Sequence, residues 1–207
     1  MSLILDIIFP RVCVGCGQKG DYLCQNCLSQ IYSLSVKPPE ANLDGIVSLF
    51  KYHPPIKELI TELKFNLVTD SVDRIASIIS VRLSADFPTL LKYWQENNYV
   101  LIPVPLHQYR QNYRGFNQSQ LVVSALAKLL NLTSDSKILI RTRASAPQST
   151  QKRTQRQTNI SGSYQLNASP PPNIILFDDV CTTGATLKSA ASVFPSSTRI
   201  WALTIAG

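Results

Sequence analysis

The 207-residue sequence contains no internal repeat, no low-complexity tract beyond Pro170–Pro172 and no apolar run long enough to cross a bilayer. Those absences argue against a repeat array, a disordered chain and a membrane span. The opening stretch MSLILDIIFP is apolar but short, carries Asp6, and lacks both a basic lead and a small-residue cleavage site. It therefore reads as neither a secretory signal nor an anchor, and the expected setting is cytoplasmic, with no membrane insertion. Acid is scarce in the middle of the chain. From Asn97 to Phe177 nine Lys or Arg face Asp135 alone, a local balance of +8 in a chain whose net charge is +7. Such a segment favours phosphates, on a small ligand or along a nucleic acid, and the alternative is a solvated face kept soluble by its charge. A hydrophobic content of 44% is ordinary for a globular chain and suffices for one domain with a small satellite.

Four of the five cysteines lie in CVGCGQKGDYLCQNC, as Cys13-x2-Cys16, seven residues, then Cys24-x2-Cys27. A two-residue gap lets both thiolates of a pair reach one metal from a tight turn, and Gly15 and Gly17 permit the backbone such a turn needs. The expected ligand is a structural Zn2+ held by four thiolates, with no open position for catalysis. Two disulfides are the competing reading, disfavoured in a reducing cytosol.

The spacing divides the chain into a knuckle and linker over 1–43 and a second domain over 44–207, with SVKPPEANLDG as the linker. In the second part IVSLFKYH reads as a strand, and IKELITELKF and SVDRIASIISVRL as core-facing helices. YVLIPVP, KILIR, NIILF and TRIWALTIA are near-continuous apolar runs, and helical patterns fall in SQLVVSALAKLLN and TGATLKSAASVF. Apolar strands alternating with helices predict an α/β fold with a parallel sheet covered on both faces. In that architecture ligands bind beyond the carboxyl ends of the strands, and the loops after the Leu101, Ile138 and Ile174 strands are expected to converge on one crevice.

The third of those loops is the most informative. In IILFDDVCTTGAT two carboxylates end a buried strand, where repulsion and burial both oppose their charged forms. Thr182, Thr183, Gly184, Ala185 and Thr186 then turn from strand to helix, so that backbone N–H groups, hydroxyls and the following helix dipole can receive a terminal phosphate. Asp178 and Asp179 are placed to accept hydrogen bonds from two neighbouring ribose hydroxyls, with Mg2+ relieving their repulsion. The alternative is a surface turn with incidental acids.

These residues resemble the binding motif for phosphoribosyl pyrophosphate of the type I phosphoribosyltransferases, matched from Ile174 to Thr186. More narrowly, the chain resembles the ComF family, competence-associated phosphoribosyltransferase-like proteins. The shared stretches are the cysteine knuckle after FP, YHPPIKELITELKF, IPVPLHQYRQNYRGFNQSQ, RTRASAPQSTQKRTQRQTN and the aspartate motif. The resemblance implies a type I phosphoribosyltransferase-like sheet, a pyrophosphate loop over Pro105–Gly115 with Arg110, Arg114 and the Gly115 backbone as contacts, and a basic flap. Arg141, Arg143, Gln148, Arg156 and Asn159 stand at the flap's pattern positions, and Gln151 stands where the family pattern has an apolar residue. It implies catalytic roles for Asp178, Asp179, Arg143 and Arg156, and ribose 5-phosphate or phosphoribosyl pyrophosphate with Mg2+ as ligand.

Three functions follow from this: phosphoribosyl transfer to an acceptor, a module binding single-stranded DNA or competence proteins during uptake, or a sensor of the sugar phosphate. Tyr109, Tyr113 and Phe116, interleaved with Arg110 and Arg114, could stack bases or simply anchor the loop. His53 and His107 read as ordinary loop positions, Cys181 as a small buried filler, and Trp94 and Trp201 as core or partner contacts.

Overall fold

A computed structural model describes residues 11–31, 35–65, 69–106, 117–142 and 163–207. The expected pyrophosphate-loop residues Arg110, Arg114 and Gly115, the flap residues Arg143, Gln148, Gln151, Arg156 and Asn159, and His107, Tyr109, Tyr113 and Phe116 lie outside them.

The described chain runs α1 (Gln25–Ser29), β1 (Ser35–Lys37), β2 (Gly45–Phe50), α2 (Ile56–Phe65), α3 (Thr69–Asp86), α4 (Pro88–Glu96) and β3 (Val100–Pro103). It continues through α5 (Gln118–Leu129), β4 (Thr133–Ser134), β5 (Leu139–Arg141), β6 (Tyr164–Leu166), β7 (Asn173–Val180), α6 (Ala185–Ala191) and β8 (Arg199–Ala206). Six strands form one sheet in the order β1-β2-β8-β7-β3-β4. Every pairing from β2 to β4 is parallel, and β1 joins antiparallel at the edge. The protein thus has an α/β fold with a mostly parallel central sheet.

Side-chain alternation along the strands fills two cores. Ile175 and Phe177 of β7 join Val47, Leu49, Leu101, Leu203 and Ile205 in a cluster completed by α2, α3, α4 and α5. Ile174 and Leu176, one step out of phase, join Ile46, Ile102 and Ala202 against α6 and the β5–β6 hairpin. Both faces of β7 are therefore covered, which explains why its sequence is continuously apolar rather than alternating.

Four features differ from the sequence expectation. Residues 35–37 of the expected linker are a strand, because their backbone completes the open edge of β2. Helix α4 was not expected; Pro88 opens it and buried Leu91 and Trp94 hold it to the core, with Trp94 edge-on to Trp201 at 5.9 Å. The KILIR strand does not enter the parallel sheet. It pairs antiparallel with β6, where Leu139 and Tyr164 bury together. Finally, β7 runs on through both aspartates to Val180, with Asp178 paired to Thr204 and Val180 to Ala206.

The knuckle is fastened to the helical layer. Cys13 and Leu23 belong to the same buried cluster as α2 and α3. Arg74 of α3 grips Asp21 through Nε at 2.8 Å and Nη2 at 2.7 Å, and donates from Nη2 to the Leu23 carbonyl at 2.9 Å. Among the described residues no helix is long and apolar enough to cross a membrane.

Candidate functional site

Two clusters concentrate acidic groups. In the first, the Sγ atoms of Cys13, Cys16, Cys24 and Cys27 all lie within 4.8 Å of one another. All four cysteines are free thiols, and Cys16 and Cys24 are 3.7 Å apart, beyond any disulfide. Tetrahedral thiolates around a metal at ~2.3 Å are separated by about 3.8 Å, so the cluster fits a single soft cation and could bind a metal ion.

Local backbone makes this possible. Gly17 adopts φ 76°, and a Cβ on Gly15 would sit 2.8 Å from the Cys27 sulfur, so one glycine supplies a left-handed turn and the other supplies room. The thiols are electrostatically unequal. Burial pushes Cys13 up, but N–H groups of Cys24, Cys16 and Gly15 outweigh it and bring the thiol down to about 6. Burial and the neighbouring cysteines push Cys27 up to about 12. Four thiolates together therefore require a cation.

The second cluster is at the carboxyl end of β7. By strand alternation Asp178 follows Ile174 and Leu176, on the side of the β5–β6 hairpin, while Asp179 follows Ile175 and Phe177, on the side of α2. The Asp178 carboxylate turns back to accept the Asp179 N–H at 2.9 Å. Burial, and next the charge of Asp179, push the Asp178 carboxyl well above the ordinary carboxylate range, with Lys64 opposing. Asp179 meets Lys64 Nζ at 2.5 Å, with side-chain exposures of 21% and 24%.

Beyond Val180 the chain turns at Cys181. Its N–H donates to the Ala206 carbonyl at 2.8 Å, and its side chain is buried, the small filler expected. Thr182 and Thr183 are exposed, and Gly184 adopts φ 74° before α6 begins at Ala185. Thr183 Oγ1 accepts the Ala185 N–H at 3.4 Å, while Thr186 lies half-buried in the first turn. Helix α6 has only seven residues, so the expected dipole is short and the cup rests on backbone N–H groups and hydroxyls. Strand β3 lies parallel beside β7, pairing Pro103 with Phe177, so the segment leaving β3 starts at the same edge of the sheet as the aspartate turn.

The fold adds Lys64, Lys37, Glu40 and Tyr164, which the sequence motifs do not point to. Lys64 comes from α2. Lys37, from the edge strand, donates to the Thr182 carbonyl at 3.3 Å and lies 3.6 Å from Cys181 Sγ, and Glu40 pairs with Lys188 of α6. Tyr164 is 4% exposed, its hydroxyl has no hydrogen-bond partner among the described residues, and the Arg141 guanidinium lies 5.3 Å from its ring centre. Burial pushes the phenol up to about 12, with Arg141 opposing and the charge of Asp178 adding to the rise, so the hairpin stands electrostatically beside the first acid. Arg141 is one of the expected flap positions and Lys188 follows Asp179 by nine residues; for Lys37, Glu40, Lys64 and Tyr164 the only advance signal is residue type.

Comparison with known proteins places this arrangement among relatives. No family model matches the chain. It is 29% identical over 201 residues to DNA utilization protein YhgH of Shigella flexneri, covering 93% of this chain and 83% of that one. It is 28% identical over 192 residues to competence protein F of Haemophilus influenzae, covering 89% and 78%. To competence protein ComFC of Bacillus subtilis it is 31% identical over 195 residues, covering 90% of this chain and 72% of that protein. With a match of that length and level, the chain belongs to the ComF family.

Proposed function

We propose that this chain binds a ribose 5-phosphate group, as phosphoribosyl pyrophosphate or ribose 5-phosphate, together with Mg2+, in the service of competence and the use of incoming DNA. The observation that carries this reading is the succession Asp178, Asp179, then the left-handed turn at Gly184 flanked by the exposed hydroxyls of Thr182 and Thr183. Acceptors for a sugar diol and donors for a phosphate stand at one strand end, in the order a phosphorylated ribose needs.

With an acceptor nucleophile, the chemistry is displacement at the anomeric carbon. A bond forms from the nucleophile to that carbon, the bond to pyrophosphate breaks, and pyrophosphate leaves with the electron pair. Asp178 and Asp179 orient the diol and lend negative charge to an oxocarbenium-like state, while the turn fixes the 5-phosphate. Mg2+, when bound, neutralises the pyrophosphate. Arg110, Arg114 and Gly115 serve the pyrophosphate and Arg143 and Arg156 the leaving group on this reading. In the knuckle Cys13, Cys16, Cys24 and Cys27 hold Zn2+ with no open position, so the metal is structural.

The test is calorimetric titration of phosphoribosyl pyrophosphate with and without Mg2+. Saturable, Mg2+-dependent binding that disappears in D178N/D179N is the expected result, and absence of binding to the wild type rejects the reading. Pyrophosphate release in a screen of bases and amines would then separate transferase from sensor.

A second reading, single-stranded DNA binding, draws on the likeness to DNA utilization protein YhgH and the competence proteins. It predicts an affinity that falls steeply with salt and survives D178N/D179N.

A further inference from the structure

The aspartate pair already has a cation within the chain. Lys64 sits in the last turn of α2, where a positive side chain is favoured by the helix dipole. Its carbonyl accepts Gln118 Nε2 at 3.3 Å, which ties that end of the helix to α5 and fixes where the lysine starts. Its ammonium lies 2.5 Å from Asp179 Oδ2 at the strand end. The same charge also acts on Asp178, against the combined effect of burial and Asp179.

With both carboxylates charged, the pair and the ammonium carry a net charge of −1, with one Asp179 oxygen already engaged. A small divalent cation must shed tightly held water to bind carboxylates, and here it would also meet the repulsion of the ammonium. We propose that Lys64 is a resident counter-ion that keeps the Asp178–Asp179 pair from taking up a free divalent cation, so that the cation enters only as a complex with the phosphorylated ligand. This rests on the reading of the pair as the sugar-binding end, and it adds an order to it: metal and ligand arrive together. It also gives α2 a role in the site that its core-facing apolar stripe does not suggest.

Mn2+ is a suitable probe, its free form counted by electron paramagnetic resonance, with full-length zinc-loaded protein and no phosphorylated ligand. The wild type and K64R should bind it weakly. K64M should bind one Mn2+ at least about tenfold more tightly, the order expected for removing a unit charge in contact with the site, and K64M/D179N should lose that gain. Tight binding of one Mn2+ by the wild type, displaced by D179N, overturns the proposal without recourse to any Lys64 variant. Equal affinities for wild type and a K64M protein that melts normally overturn it too. Because no sugar phosphate is used, a wild type that fails to bind phosphoribosyl pyrophosphate removes the proposed function, yet a tenfold gain in K64M still stands as the result for Lys64.

Discussion

The cysteine knuckle and the end of β7 face the same electrostatic problem and solve it differently. Each gathers acidic groups that repel in their charged forms. The knuckle's four thiols come from fifteen consecutive residues, and the spread between Cys13 at about 6 and Cys27 at about 12 leaves the charge to be balanced by a cation from outside. At the end of β7 the balancing cation is internal, Lys64, more than a hundred residues away in the chain. A site that borrows its cation is assembled by loading; one that carries its own is assembled by folding. The first should depend on metal and the second on tertiary packing.

The strongest way to break this contrast is to unload the knuckle. C16S, or a strong chelator with the wild type, should lower Tm by about 10 °C or more, the shift of ~4 kcal/mol in a chain of this length, because Cys13 and Leu23 are part of the main core. Differential scanning calorimetry with a metal count checks it; C181S, whose thiol is outside the cluster, should match the wild type in metal content.

A smaller effect is expected at the acid pair. Asp178 is raised, so its charged form costs stability that is absent below the unfolded carboxylate pKa of about 4 and fully present above the folded value. D178N should therefore raise Tm by about 2–4 °C at pH 8, the shift of ~1 kcal/mol, and the gain should vanish near pH 4. A gain that grows as pH falls would contradict the assignment.

Gly184→Ala comes next. A Cβ there would meet Lys188 Cε at 3.5 Å, an ordinary contact, so the cost is the left-handed φ of 74° alone, about 1 kcal/mol. Ligand affinity should fall more than stability, as titration and melting of the same variant will tell. Smallest is Glu40→Gln. The Glu40 side chain is 59% exposed, and losing its pair with Lys188 should change stability by less than about 0.5 kcal/mol.

Much of the fold is legible from apolar pattern. The runs at 100–103, 173–177 and 199–206 are strands, and Ile56, Leu59, Ile60 and Leu63 do form the buried face of α2. Helix α4 is harder to see because nine residues with one proline and two aromatics give little more than two turns of periodicity. The two halves of the β5–β6 hairpin are three residues each, too short for pattern to say whether they join the large sheet or each other. The aspartate turn is legible as a candidate site because its acids, threonines and glycine are consecutive. Its neighbours Lys64, Lys37 and Tyr164 are not, since nothing local distinguishes a lysine at a helix end from any other.

By itself the sequence determined the cysteine cluster, the α/β alternation and the succession of acids and small residues after β7. Each depends on spacing within one or two turns of chain, where covalent geometry limits what can happen. Only the tertiary structure decided which cation meets Asp179, which phenol feels the charge of Asp178, and that residues 139–141 pair with 164–166 outside the main sheet. Those partnerships are set by how the helices and strands bury their apolar faces together, a condition that no single segment carries.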